Sequence, residues 1–257
     1  MDITLSKLKV IADSHDFNIQ LMEKDYLLTE LLYLIKDIDG IYFKGGTALN
    51  KIFLDHSRLS EDLDFTVTRR IVDVEKDIKR RLKGTRFTEI THDKRVTHFI
   101  RLIVHYRLYH ETGTIFIDLN KKGKLLLKPE IHEVPHFYDG YIPTYSVPTL
   151  SKKEMFAEKM AATIGRNKPR DHFDLYQIIS RKMSLDLKLV KKKCESSECE
   201  FDIIKMFNRA KKLKNRWDED LGMLLPTKVT FQEVMKTLAK HFDLKGEKDK
   251  KKSNIHS

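Results

Sequence analysis

Asp62 and Asp64 stand one residue apart in Arg58-Leu59-Ser60-Glu61-Asp62-Leu63-Asp64-Phe65, a run in which apolar residues alternate with acids. On a strand, positions i and i+2 share a face, so the two carboxylates project side by side. Like charges held together repel, and a divalent cation is the usual way to make such a pair favourable. Upstream, with 14 residues between Thr47 and Asp62, lies Lys44-Gly45-Gly46-Thr47-Ala48-Leu49-Asn50-Lys51. Glycines let backbone N–H groups approach a phosphate, and a threonine hydroxyl can donate to a phosphate oxygen. Alone, the glycine turn reads as an ordinary strand-to-helix turn capped by Thr47. Beside an Asp-x-Asp pair it points to a triphosphate carried with Mg2+, or with Mn2+ in its place, and to nucleotidyl transfer. No Gly-x-x-x-x-Gly-Lys-Ser/Thr loop occurs, which excludes a Walker-type site.

A third acid, Asp118, interrupts the apolar run Ile115-Phe116-Ile117-Asp118-Leu119. A charge there needs a partner, a metal or an exposed edge. A buried salt bridge or an exposed edge explains such a residue as readily as a metal does. With the upstream pair, three acids on neighbouring strands could hold two Mg2+ ions, with Asp118 as ligand of the activating one or as general base. A further group is Glu158-Lys159-Met160-Ala161-Ala162, followed by Arg166 and then Lys168-Pro169-Arg170-Asp171-His172-Phe173-Asp174-Leu175-Tyr176. Lys159 and Arg166, seven apart, share a helix face and suit a polyanion, with Asp174 orienting Lys159 or a neighbouring arginine. Capping and salt bridges among these same groups account for them almost equally well.

These residues need elements to hold them. Apolar rhythm predicts a helix over 19–38, a strand at Ile41-Tyr42-Phe43, a helix over Thr47–Leu54, a strand over 63–67 and a helix near 72–82. Antiparallel strands are expected over 87–91, 97–108 and 114–119, with turns near Asp93 and Gly113. The proline-bearing stretch 121–148 reads as loop with short edge strands. Capping boxes at Ser151 and Thr230 open helices, and helical periodicity recurs over 170–181, 185–193 and 201–213. The expected division is a core over 1–150, a helical domain over 151–244 that completes the site, and a basic, disordered tail over 245–257.

The chain has 257 residues and a net charge of +11, a balance that suits a polyanion such as nucleic acid, although a lysine-rich surface gives the same count. Cys194 and Cys199, in a polar stretch with no histidine nearby, are too few for a zinc site and read as free thiols of a reducing cytoplasm. His92, His98, His105 and His110 lack consistent ligand spacing, and Ser60 has no triad context. No apolar run approaches the roughly 20 residues of a membrane span, so no membrane partner is expected.

Taken together, Phe43-Lys44-Gly45-Gly46-Thr47-Ala48-Leu49 with the Ser-x-Asp-x-Asp block, and Glu158-Lys159-Met160-Ala161-Ala162 with Arg166, Asp171 and Asp174-Leu175-Tyr176, resemble the AbiEii-type nucleotidyltransferase toxins. These are the abortive-infection and type IV toxin–antitoxin group of the polymerase-β-like nucleotidyltransferase superfamily. Lys24-Asp25-Tyr26 is similar to the family's N-terminal helix, and the resemblance spans roughly 20–180. It implies an α/β (α+β) fold, a polymerase-β-like core with a mixed sheet followed by a helical region. It also implies metal at Asp62, Asp64 and Asp118, and a nucleotide against Gly45, Gly46, Thr47, Ser60, Lys159 and Arg166, with Lys159 and Asp174 completing the catalytic set. Characterised members transfer nucleotides, in some cases to the 3′ end of tRNA, until a cognate antitoxin intervenes. The expectation is therefore transfer of an NMP from an NTP to RNA, foremost tRNA, in the cytoplasm. The alternatives are a protein or small-molecule hydroxyl as acceptor, or a nucleotide- or RNA-binding regulator without chemistry.

Overall fold

The computed structural model describes residues 2–87, 89–109 and 111–253. They form two compact units, Met1–Lys152 and Lys153–Ser257. In the first, α1 (Leu5–Ser14) and α2 (Ile19–Ile35) precede β1 (Ile41–Lys44), which runs into a short helix α3 (Gly45–Ala48) and a π-helical turn (Leu49–Phe53). β2 (Asp62–Val67), α4 (Ile71–Leu82), β3 (Glu89–Val96), β4 (Phe99–Leu108), β5 (Glu111–Asn120), β6 (Glu130–Glu133) and β7 (Ser146–Thr149) follow. Among the described residues the sheet has seven strands in the order β3-β4-β5-β2-β1-β7-β6. It is mixed: β2 pairs parallel with β5 and β1 with β7, and the remaining ladders are antiparallel.

The period-2 rule gives this sheet two unlike faces. Phe43, Leu63, Phe65, Ile100, Leu102, Val104, Ile115, Ile117 and Leu119 turn one way and are buried. α2 packs on β2 and on α4. Its buried set, Met22, Tyr26, Leu27, Leu28, Leu31, Leu32 and Ile35, wraps most of the way round the helix, as a central core helix requires. α4 is amphipathic instead, burying Ile71, Val74, Ile78 and Leu82 at helical spacing and ending on Lys79, Arg80 and Arg81, where the dipole favours cations. The opposite sheet face carries Lys44, Asp62, Asp64, Arg101 and Asp118.

Several boundaries differ from expectation. β3 runs through Asp93, because a bulge between His92 and Lys94 absorbs the polar residue that reads as a turn. Gly113 lies inside β5 opposite Tyr106; a Cβ there would stand 2.3 Å from the Tyr106 hydroxyl, so the glycine makes room for a ring rather than for a turn. β7, despite Pro148, is internal, between β1 and β6.

The second unit is helical: α5 (Lys152–Arg166), α6 (Pro169–Ser180), α7 (Leu187–Ser196), α8 (Ile203–Ala210), a 3₁₀ turn (Lys211–Arg216), α9 (Trp217–Leu221), α10 (Phe231–His241) and α11 (Leu244–Ser253). α5 ends on Asn167 with φ +54, and Pro169 starts α6 at its first turn, a stop and start that the residue types dictate. Thr230 caps α10 through the Glu233 amide. The disordered tail expected from 245 is helical as far as Ser253: Asp243 caps it through the Gly246 amide, and α11 packs on α8 and α10. Residues 254–257 of that tail lie outside the described residues, as does His110.

Candidate active site

β1 delivers the chain to Gly45, whose φ of +77 is open to glycine at little cost. A Cβ on Gly45 would lie 2.0 Å from Asp64 Oδ2 and 2.7 Å from its Cγ, so the Asp64 carboxylate rests directly against the turn. At Gly46 a Cβ would meet Arg58 Nη2 at 2.8 Å and Ser60 Oγ at 3.2 Å. Thr47 is buried and its hydroxyl donates to the Asp62 carbonyl, which ties β2 to the turn. Asn50 donates to the Gly46 carbonyl and accepts from Ser57, fixing the chain between turn and strand. The glycine turn, Arg58, Ser60, Asp62 and Asp64 therefore form one constellation.

Below it lies a buried ionic network. Lys51, on the π-helical turn, meets Asp25 of α2 at 2.7 Å and Thr29 at 3.1 Å, and Tyr138 donates to the same carboxylate at 3.0 Å. Lys24 reaches Glu61, the residue before Asp62, at 3.1 Å. α2 thus grips both flanks of the site.

Register extends the polar face sideways. Lys44 is opposite Asp64, Asp64 beside Asp118, Asp118 opposite Arg101 and Arg101 opposite Lys94. Two acids are thereby flanked by cations across five strands. Arg101 holds Asp118 in a fork, Nε to Oδ1 and Nη2 to Oδ2, both at 2.7 Å. The hydrogen bonds it donates to Asp118, and the charges of Asp118, Asp62 and Asp93, raise the guanidinium pKa further against opposing burial. Among the described residues no group of three or more His, Cys, Asp or Glu side chains is arranged to hold a metal. Asp118, the ladder neighbour of Asp64 on the same face, is closed on Arg101, while Asp64 rests against the turn. The histidines go elsewhere, His92 to Glu75 and His105 to Thr91.

In the helical unit Lys159 is 6% exposed and donates to Asp171 and Asp174, each at 2.9 Å, while Arg166, 64% exposed at its side chain, reaches Asp171 at 2.8 Å. Burial pushes the Asp171 carboxyl up, but Lys159 and Arg166 overcome it and hold it well below the usual carboxylate range. Asp174, fully buried, orients Lys159. Cys194 and Cys199 are free thiols, and burial with Cys199 nearby pushes Cys194 up to about 12.

A family model described as "Nucleotidyl transferase AbiEii toxin, Type IV TA system" matches residues 26–238. The chain belongs to the AbiEii nucleotidyltransferase toxin family. It is a nucleotidyltransferase of the type IV toxin–antitoxin class, a class in which a toxin has a cognate antitoxin. Its fold is similar to that of MenT4, the nucleotidyltransferase toxin Rv2826c from Mycobacterium tuberculosis H37Rv, with 20% identity, a TM-score of 0.69, and coverage of 94% of this chain and 89% of that one. It is similar as well to JHP933 from Helicobacter pylori, with 19% identity, a TM-score of 0.56, and coverage of 93% and 97%. No curated protein matches the sequence. No helix among the described residues is long and apolar enough to cross a membrane.

In this AbiEii toxin the donor set at the turn fits a hard divalent cation: two carboxylates on one strand face, beside a glycine whose missing Cβ leaves room for Asp64. Sequence reasoning assigned no role to Arg58 or Arg101. Arg101 had a legible signal, since it is a lone cation in Phe99-Ile100-Arg101-Leu102-Ile103 just as Asp118 is a lone acid in its strand. Opposite charges isolated in two consecutive apolar strands are the mark of a cross-strand pair.

Proposed function

We propose that the toxin transfers an NMP from an NTP to a hydroxyl of RNA, foremost tRNA, with Mg2+ or Mn2+ held by Asp62 and Asp64. The observation that supports this reading is the Asp64 carboxylate lodged against Gly45, which sets one acid of the Asp-x-Asp pair beside the glycine turn. Gly45 makes room for the Asp64 carboxylate and Gly46 for Arg58 and Ser60, and Thr47 keeps the turn in register with β2. The metal supplies charge neutralisation to the triphosphate. Lys159, Arg166 and Asp174 remain in the proposed catalytic set, Lys159 as a cation and Asp174 as its orienting partner. The net charge of +11 supports a salt-sensitive hold on RNA phosphates in the cytoplasm.

The test is incubation of wild type and Asp64→Ala with each labelled NTP, Mg2+ or Mn2+, and total tRNA. Label should appear in RNA with wild type alone. Label in protein or small molecules instead would replace the acceptor, and no transfer with any NTP would leave a binding regulator.

A further inference from the structure

Asp118 is the strand neighbour of Asp64, yet both its oxygens are engaged by one residue, Arg101. We propose that the Arg101 guanidinium stands permanently in the place of one of the two divalent ions that three strand-borne carboxylates would otherwise gather, so that the nucleotide-loaded toxin takes up a single divalent ion, at Asp62 and Asp64. The inference rests on the metal-dependent reading above.

Three features make Arg101 a fixed cation rather than a passing salt-bridge arm. Its fork matches the carboxylate on two parallel N–H···O bonds, the strongest geometry an ion pair offers. Its guanidinium lies over the Phe116 ring, 5.2 Å from the centroid, and Asp93 approaches its free edge at 3.7 Å. Asp118 is its direct cross-strand partner in the β4–β5 ladder, so backbone pairing alone holds the two together. Arginine, unlike lysine or histidine, does not deprotonate to vacate its place.

Charge points the same way. A second divalent ion would enter beside a guanidinium already closed on the ligand it needs. Arg101 acts through Asp118 and is a positioning residue.

The experiment counts metal. Mn2+ is titrated into the toxin saturated with a non-hydrolysable NTP analogue, and free Mn2+ is read by electron paramagnetic resonance against analogue alone. Wild type should bind one Mn2+ per chain. Asp118→Asn should still bind one, with a dissociation constant within a factor of about two of wild type. Arg101→Met, which frees a carboxylate beside Asp64, should bind two. A wild-type count other than one overturns the inference, as does an Asp118→Asn affinity weakened about tenfold or more, the loss expected when a ligand or its support goes. The wild-type count needs no variant to fold. If it fails while label transfer to RNA persists, the function proposed above stands, and if transfer is absent too, both fall.

Discussion

Gly45→Ala separates the chemistry of the turn from its stability. Two costs follow from the structure. The backbone at φ +77 places an L-residue in the left-handed region, worth about 1–2 kcal/mol. The new methyl would lie 2.0 Å from Asp64 Oδ2, 2.7 Å from Cγ and 2.8 Å from Cβ, so rotation of the carboxylate alone does not relieve it and the whole side chain must shift. A displacement of about 1 Å in a reacting constellation costs on the order of 10²-fold in rate. Gly84 supplies the matched control, since its φ is +80 and nothing lies within 4 Å of an added Cβ. The backbone cost alone should lower both melts by about 2–8 °C, at about 2–4 °C per kcal/mol for a unit of this size, and the clash with Asp64 should lower Gly45→Ala further. Only Gly45→Ala should lose nucleotidyl transfer, by about 10²-fold or more. The assay is initial rate of label transfer alongside a thermal melt. Gly45→Ala with near-wild-type rate, or Gly84→Ala with an equal loss, would refute the placement of Asp64 against the turn.

Lys51→Met leaves Asp25 charged and buried and should cost about 3–5 kcal/mol in urea unfolding, whereas Asp25→Leu/Lys51→Met should recover most of it; equal losses would show the pair is not the source. Burial first, and Lys51 second, lower the His56 pKa to about 3. The unfolded chain, with a histidine pKa near 6.5, then binds a proton that folded His56 refuses, so stability is full above about pH 6.5 and falls toward pH 3 by about 1.4 kcal/mol per unit. His56→Gln should flatten the melting temperature against pH between 6.5 and 5, and an unchanged slope would clear His56. Lys159→Met removes the ammonium shared by the buried carboxylates of Asp171 and Asp174 and should cost about 3–5 kcal/mol. Arg166→Ala, at an exposed side chain, should cost about 1 kcal/mol or less, and comparable losses in thermal melts would contradict the burial difference.

Much of this arrangement can be read from the chain because local chemistry agrees with tertiary context. Gly45 must be glycine at positive φ, and Asp62 and Asp64 alternate with Leu63 and Phe65 because one strand face is core. Asn167-Lys168-Pro169 and Thr230 mark helix boundaries by capping alone. What escapes is set by distant partners. Asp25 sits in an apolar helix with no local sign that Lys51 will meet it, and a π-turn has no sequence period of its own. Asp93 and Gly113 look like turn residues but serve a bulge and a close ring approach. Thr47, a ready phosphate donor by type, spends its hydroxyl on the strand. Asp118 reads as a metal ligand or as half of an ion pair, and only the strand register reveals Arg101 opposite it.

The order in which the sheet closes follows from where its charges lie along the chain. β4 and β5 form a hairpin, so Arg101 and Asp118 meet 17 residues apart, while Asp64 must join Asp118 from 54 residues away. Loop-closure entropy favours the hairpin first. Asp118 is then already neutralised when β2 docks alongside, and the parallel pairing never has to press two bare acids together.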